Sequence, residues 1–169
     1  YLGRENKIGK IVAVCCTALP SFTFSGLSDH TVFEIEVCRS NPNVMYCSQW
    51  DGTDDAIWRS EDEGKTWTKC KPLPLPNNND RVKMTASAIS SEVIWVAVTY
   101  GSNGKKVYKS LDGGRSWLNL STLILDNVRI SDILHAAGTE GGVYLGTNRG
   151  VFYRNDTMPD WKNVSEGLP

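Results

Sequence analysis

Apolar residues in this chain fall in short runs broken by polar turns, and like runs recur along its length. Ile35-Glu36-Val37 and Val44-Met45-Tyr46-Cys47 flank a turn containing Pro and Asn. Ala86-Ser87-Ala88 with Val93-Ile94-Trp95-Val96, and Asp132-Ile133-Leu134 with Gly142-Val143-Tyr144-Leu145, occupy matching places further on. Val, Ile, Tyr and Trp dominate these runs, as they do in strands. No window of about twelve residues carries a 3.6-residue apolar period bounded by caps, so long helices are not expected. The pattern predicts an all-β chain of short strands: a sandwich, a barrel or a propeller.

A longer period selects among these three. Ile57-Trp58-Arg59-Ser60-Glu61-Asp62-Glu63-Gly64-Lys65-Thr66-Trp67 returns as Val107-Tyr108-Lys109-Ser110-Leu111-Asp112-Gly113-Gly114-Arg115-Ser116-Trp117. A third, eroded copy runs Val151-Phe152-Tyr153-Arg154-Asn155-Asp156 and closes on Asp160-Trp161. A fourth survives as Ser21-Phe22. The anchors Phe22, Trp67, Trp117 and Trp161 stand 45, 50 and 44 residues apart, the period of a four-stranded propeller blade. Each unit then reads strand A, turn, strand B, loop, strand C, a box-like turn and strand D. The expected organisation is a partial degenerate blade at 1–30, blades with an intact box turn at 31–76 and 77–127, and a blade with a degenerate one at 128–169. About three and a half blades do not close a ring. The rest of the propeller is therefore expected from another chain or from further sequence. The chain also opens and closes mid-pattern, on Tyr1-Leu2-Gly3 and Gly167-Leu168-Pro169, as a cut segment would.

The repeated residue types suit a turn. Ser60 and Asp62, and Ser110 and Asp112, can bond nearby backbone N–H groups where a strand reverses, with Thr66 and Ser116 beside them. Gly64 and Gly114 supply a positive φ at low cost. Trp67, Trp117 and Trp161 then fold back as apolar plugs, and Asp156 stands in the third turn. None of these roles is catalytic.

Charge narrows the partners. Eighteen basic residues against nineteen acidic ones give a net charge of -1, with no basic surplus for nucleic acid and no block for an anionic membrane. The longest apolar run, Ile11 to Cys16, is too short to span a bilayer as a helix. An odd count of five cysteines excludes full intrachain pairing. Cys38 and Cys47 flank a turn and can be read as a cross-hairpin disulfide or as small apolar fillers. The strain of joining adjacent strands, and the Val96 and Leu145 found in the Cys47 place, favour fillers. Cys15-Cys16 and Cys70 match no zinc spacing.

Ser60 to Trp67 and Ser110 to Trp117 resemble the Asp-box, or bacterial neuraminidase repeat, of sialidases, xyloglucanase-type glycoside hydrolases, sortilin-type receptors and photosystem assembly factors. The resemblance implies a sialidase- or sortilin-like propeller and leaves function open. A narrower likeness, carried by Gly141 to Asn155, Asp160-Trp161 and Gly167-Leu168-Pro169, is to large secreted Bacteroidetes proteins bearing an Asp-box propeller, adhesion modules and a type IX secretion tail. It implies a secreted or cell-surface location and a further blade after Gly167-Leu168-Pro169. Asp156-Thr157-Met158 resembles the O-glycosylation acceptor of such proteins, with Thr157 as the acceptor.

In propeller relatives the face opposite the box turns carries the ligand. The B–C and D–A loops there offer Trp50, Asp51, Tyr100, Asn103, Asn148 and Arg149, where an aromatic beside Asp, Asn or Gly can stack on and bond a sugar. Arg81 and Arg129 open strand A of consecutive blades, where sialidases place carboxylate-binding arginines. Thr31-Val32 replaces the arginine in the first blade, so no triad is visible. No pair of carboxylates stands out for acid–base hydrolysis. Asp51, Asp54 and Asp55 lack the order of a calcium loop and read as an exposed acidic turn. His30 and His135 read as structural. No metal, cofactor or catalytic residue is expected. The expected function is a non-catalytic binding or scaffold segment for protein or glycan. The alternative is part of an Asp-box glycoside hydrolase whose catalytic carboxylates lie in other blades.

Overall fold

The computed structural model describes residues 31–50, 55–74, 81–99, 107–139 and 141–167. The degenerate blade expected at 1–30 lies outside them. Twelve strands and one 3-10 turn at Leu123–Leu125 make up the described secondary structure. The strands form three four-stranded antiparallel sheets in which neighbours in sequence are neighbours in space. The first holds β1 (Val32–Val37), β2 (Met45–Trp50), β3 (Asp55–Ser60) and β4 (Thr68–Lys69). The second holds β5 (Val82–Ala86), β6 (Ile94–Val98), β7 (Val107–Ser110) and β8 (Leu118–Asn119). The third holds β9 (Ile130–His135), β10 (Val143–Thr147), β11 (Gly150–Arg154) and β12 (Lys162–Asn163). This is the all-β, blade-like architecture expected from the repeat.

The alternation of side chains across a strand explains how the sheets stack. In the second sheet Met84, Ile94, Val96 and Tyr108 face one way and join Tyr46, Ile57 and Val44 of the first in one apolar cluster. Trp95, Ala97 and Val107 face the other way and join Ile133, Val143, Leu145 and Phe152 of the third. Every side chain of β6 is therefore buried, because this sheet is covered on both faces. β1, β5 and β9 pack successively against one another as the innermost strands. The fourth strand of each sheet is only two residues long, which blunts the outer edge.

Cys38 and Cys47 do not pair. Both are buried free thiols. The hairpin register sets Cys47 across from Ile35, while Cys38 bonds through its backbone to Val44. The disulfide is thus excluded by register. Burial pushes both thiols, and that of Cys70, up to about 12.

Candidate functional site

The two intact turns share one hydrogen-bond plan. Ser60 Oγ accepts from Asp62 N at 3.3 Å and Gly64 N at 2.8 Å, and donates to Asp62 Oδ1 at 2.9 Å. Asp62 Oδ1 accepts from Thr66 N at 2.8 Å and its Oδ2 from Thr66 Oγ1 at 2.7 Å. Ser110, Asp112, Gly114 and Ser116 repeat the same five bonds. Gly64 and Gly114 have φ of 85° and 87°. The carboxylates thus act as fixed acceptors inside a turn. Asp112 is held down to about 2, first by the Ser116 hydroxyl and then by Ser110 and backbone N–H groups. For Asp62, burial acts upward, but the Thr66 and Ser60 bonds outweigh it and the net shift is downward.

The third turn departs from this plan. Arg154 occupies the Ser place, and Asn155 Oδ1 takes up the turn by accepting from Thr157 N and Oγ1. Asp156 stands in this turn, and its carboxylate accepts from Lys109 Nζ of the preceding sheet at 2.6 and 2.8 Å. With no serine hydroxyl beside it, that carboxylate is available to the neighbouring blade. Trp161 keeps the plug position at 2% exposure and donates from Nε1 to Leu120 O at 2.8 Å. Trp117 likewise reaches back to Lys71 O at 2.7 Å, whereas Trp67 bonds Gly64 O within its own turn. Thr157 is exposed.

The basic residue of each intact repeat has a role that its sequence position does not reveal. Arg59 lies over the Tyr46 ring and pairs with Glu61 and with Glu92 of the next sheet. Lys109 lies 4.9 Å from the centroid of the Trp95 ring and pairs with Asp156 of the next sheet. These are buried cations stacked on an aromatic and neutralised across a seam. His135 also belongs to the second seam. It is buried, stacks on Trp95 with ring centroids 5.2 Å apart, and accepts at Nδ1 from Ala88 N. Burial holds its imidazole below the ordinary range.

Two cavities open along these seams. One, of about 250 Å³, lies beside the second box turn and is lined by Arg59, Glu61, Lys69, Lys71 and Arg115 among others. The other, of about 200 Å³, lies among the innermost strands and includes Glu34, Glu36, Arg39, Asp132 and His135. No group of three or more potential metal ligands occurs among the described residues.

On the opposite rim, Arg81 is exposed and stands 5.1 Å from the centroid of the Phe33 ring. Arg129, Asn148 and Arg149 come together at one end of the third sheet, all exposed. Asn148 Oδ1 accepts from Arg129 N at 2.7 Å, and Asn148 N donates to Arg129 O. Arg149 uses its backbone N–H on Thr147 and its carbonyl on Asn163. The structure therefore gathers part of the expected rim at one place, with the Asn148 carbonyl already engaged. Trp50 closes β2 opposite Asp55 in the backbone ladder. Asp51, Tyr100 and Asn103 lie outside the described residues, as do Asp54 and His30.

No protein-family profile matches this chain. A xyloglucanase of Hypocrea jecorina is 29% identical over 132 residues, covering 76% of this chain and 15% of the relative. A xyloglucanase of a Paenibacillus species is 30% identical over 104 residues, covering 61% of this chain and 10% of the relative. The chain thus spans a small part of the curated relatives it matches. Among solved structures, the GH74 enzyme of Niastella koreensis superposes with a TM-score of 0.58 at 15% identity, over 80% of this chain and 22% of that one. The GH74 xyloglucanase of Xanthomonas campestris gives 0.57 at 16% identity, over 80% and 23%. YCF48 bound to a D1 peptide gives 0.59 at 16% identity, over 79% and 40%. At this identity the likeness establishes the propeller fold alone.

Proposed function

We propose that this chain supplies Asp-box blades to a larger propeller in a secreted or cell-surface protein, where it serves as a binding or scaffold module for a protein or glycan. The observation that carries the reading is the use made of the repeated polar residues. Ser110, Asp112 and Ser116 are consumed in a turn, and Arg59, Lys109 and Asp156 in seams between blades. Their chemistry holds the scaffold together. The cations left exposed on the other rim, Arg129 and Arg149, are suited to contacting a ligand rather than cleaving one. The blades are taken as 31–76, 77–127 and 128–169, with the remaining blades supplied from outside these residues.

The two xyloglucanase relatives favour a second reading, in which these are blades of a glycoside hydrolase whose catalytic carboxylates lie elsewhere in the ring. Incubating the intact protein with xyloglucan oligosaccharides separates the two. Binding without release of shorter sugars, weakened by Arg129→Ala or Arg149→Ala, supports a binding rim. Turnover by the intact protein overturns the scaffold reading in favour of the hydrolase.

A further inference from the structure

The A–B turns lie against the box turns, since Glu63 N donates to Asn43 O and Gly113 N to Glu92 O. The smaller cavity, of about 200 Å³, reaches that end of the innermost strands, where Arg39, Ala88 and His135 stand. Strand register sets Val37, Ala86 and His135 on equivalent rungs, across from Met45, Ile94 and Val143. The small Ala86 leaves room there, and the larger His135 of the next sheet lines it. The walls are fixed: Glu36 Oε1 accepts from Ala86 N at 2.9 Å, and Thr85 Oγ1 from His135 N at 3.1 Å. His135 is 8% exposed, stacks on Trp95 and accepts at Nδ1 from Ala88 N at 3.4 Å. In the neutral ring the proton is then on Nε2. The Thr139 backbone acts on the ring, but Nε2 completes no hydrogen bond among the described residues. A buried N–H donor left in this state is costly unless a guest supplies the acceptor.

We propose that this cavity binds one neutral sugar ring, with one hydroxyl accepting from His135 Nε2–H and others donating to Glu36 and Asp132. The inference goes beyond the rim reading, because neither Arg129 nor Arg149 lines this cavity. Glu34 is already paired with Lys83. Glu36 has Oε1 committed to Ala86 N and Asp132 has Oδ1 committed to Ile133 N, which leaves one oxygen on each for a guest. The donors and acceptors then select the class of ligand. An ammonium would meet the carboxylates but leave Nε2–H facing a like charge. A carboxylate or phosphate would accept from Nε2–H and Arg39, yet stand against Glu36 and Asp132. A hydroxyl both donates and accepts, so a polyol answers every group at once. The space, about 200 Å³, lies below the ~300–1,000 Å³ of drug-sized pockets and suits a single ring.

Saturation-transfer NMR on the intact protein tests this with glucose, galactose, glucosamine and glucuronate as probes. Glucose or galactose should receive saturation, and the two charged sugars should not compete with it. Asp132→Asn, at an exposed position, should weaken that binding at least about tenfold while leaving Tm near wild type. His135→Phe keeps a ring on Trp95, removes the donor and should weaken binding as much. Should His135→Phe fail to fold, Asp132→Asn decides alone. Tighter binding of glucosamine makes this a cation site and tighter binding of glucuronate an anion site, and either overturns the proposal. Neutral-sugar binding that either folded variant leaves intact places the sugar elsewhere, the rim included, and overturns it too. No saturation of any probe also overturns it, and leaves the xyloglucan test of the rim to be decided on its own result.

Discussion

Lys109 and Asp156 lie 47 residues apart in sequence and in different sheets, yet both oxygens of Asp156 accept from the Lys109 ammonium. The lysine side chain is 5% exposed and the aspartate 57% exposed. That asymmetry fixes the outcome of removing either partner. Asp156→Asn strands a buried ammonium over the Trp95 ring and should cost about 1–3 kcal/mol. Lys109→Met leaves a carboxylate that water can solvate, and should cost less. The pair Lys109→Met with Asp156→Asn should be more stable than Asp156→Asn alone. Urea midpoints of the three variants check the order, and equal costs for the two single changes would refute the seam account.

Asp112 yields a prediction about acid. Its folded value of about 2 lies below the unfolded value of about 3.9. A carboxylate depressed on folding contributes stability that is present above the unfolded value and lost as pH falls through the folded one. Stability should therefore decline between about pH 4 and pH 2, with Asp62 adding a contribution of the same sign. Asp112→Asn should flatten that part of the pH profile, as measured by thermal unfolding at stepped pH. Ser116→Ala should raise the titration midpoint of Asp112 by NMR, because the Ser116 hydroxyl is the first cause of the depression.

The parts of the fold that could be read from sequence are those whose chemistry is local. Ser110, Asp112, Gly114 and Ser116 sit within seven residues of one another, and their turn follows from side-chain reach alone. Blade spacing followed from the tryptophan anchors. The seams were not legible, because Arg59 and Lys109 meet their carboxylates only after two sheets stack. Asp156 stands in the turn that its place in the repeat indicates, but its lysine partner was hidden for the same reason. A signal was present in the basic residue before each box serine, which register sets across from an aromatic in both intact copies, Arg59 from Tyr46 and Lys109 from Trp95. The opposite rim was legible only as loops, since side chains there answer to a ligand and not to the period of the repeat.

Backbone conformation separates two glycine positions. Gly113 in the second turn corresponds to Glu63 in the first, which takes a φ of 63°. Glu63→Gly relieves that left-handed strain and should stabilise by a few tenths to about 1 kcal/mol, part of the gain being offset by a more flexible unfolded chain. Gly114→Ala should do the reverse. It adds strain at a φ of 87° and places a Cβ 2.5 Å from Cys70 Sγ, at the point where the first sheet passes beneath the second turn. A loss of more than about 2 kcal/mol is expected. Chemical denaturation of both variants checks the contrast, and a Gly114→Ala protein of wild-type stability would show that the two sheets do not meet there.

His135 predicts a second pH response near neutrality. Burial holds its imidazole below the ordinary value, and Arg39 and Lys109 push in the same direction, while a backbone bond at Thr139 opposes them. Stacked on Trp95 and accepting from Ala88 N at Nδ1, the ring is built into the seam in its neutral form. The unfolded chain takes up a proton near pH 6.5 that the folded chain refuses until lower pH, so the unfolded state binds more protons in that window. Stability should therefore be full above about pH 6.5 and fall as pH drops below it. His135→Phe preserves the stacking and removes the titration. It gives up the bond from Ala88, so it should be less stable at pH 8 and lose less between pH 7 and pH 5. Thermal unfolding of wild type and His135→Phe across that range provides the measurement. Parallel profiles for the two proteins would place the pH dependence elsewhere and remove His135 from the second seam's energetics.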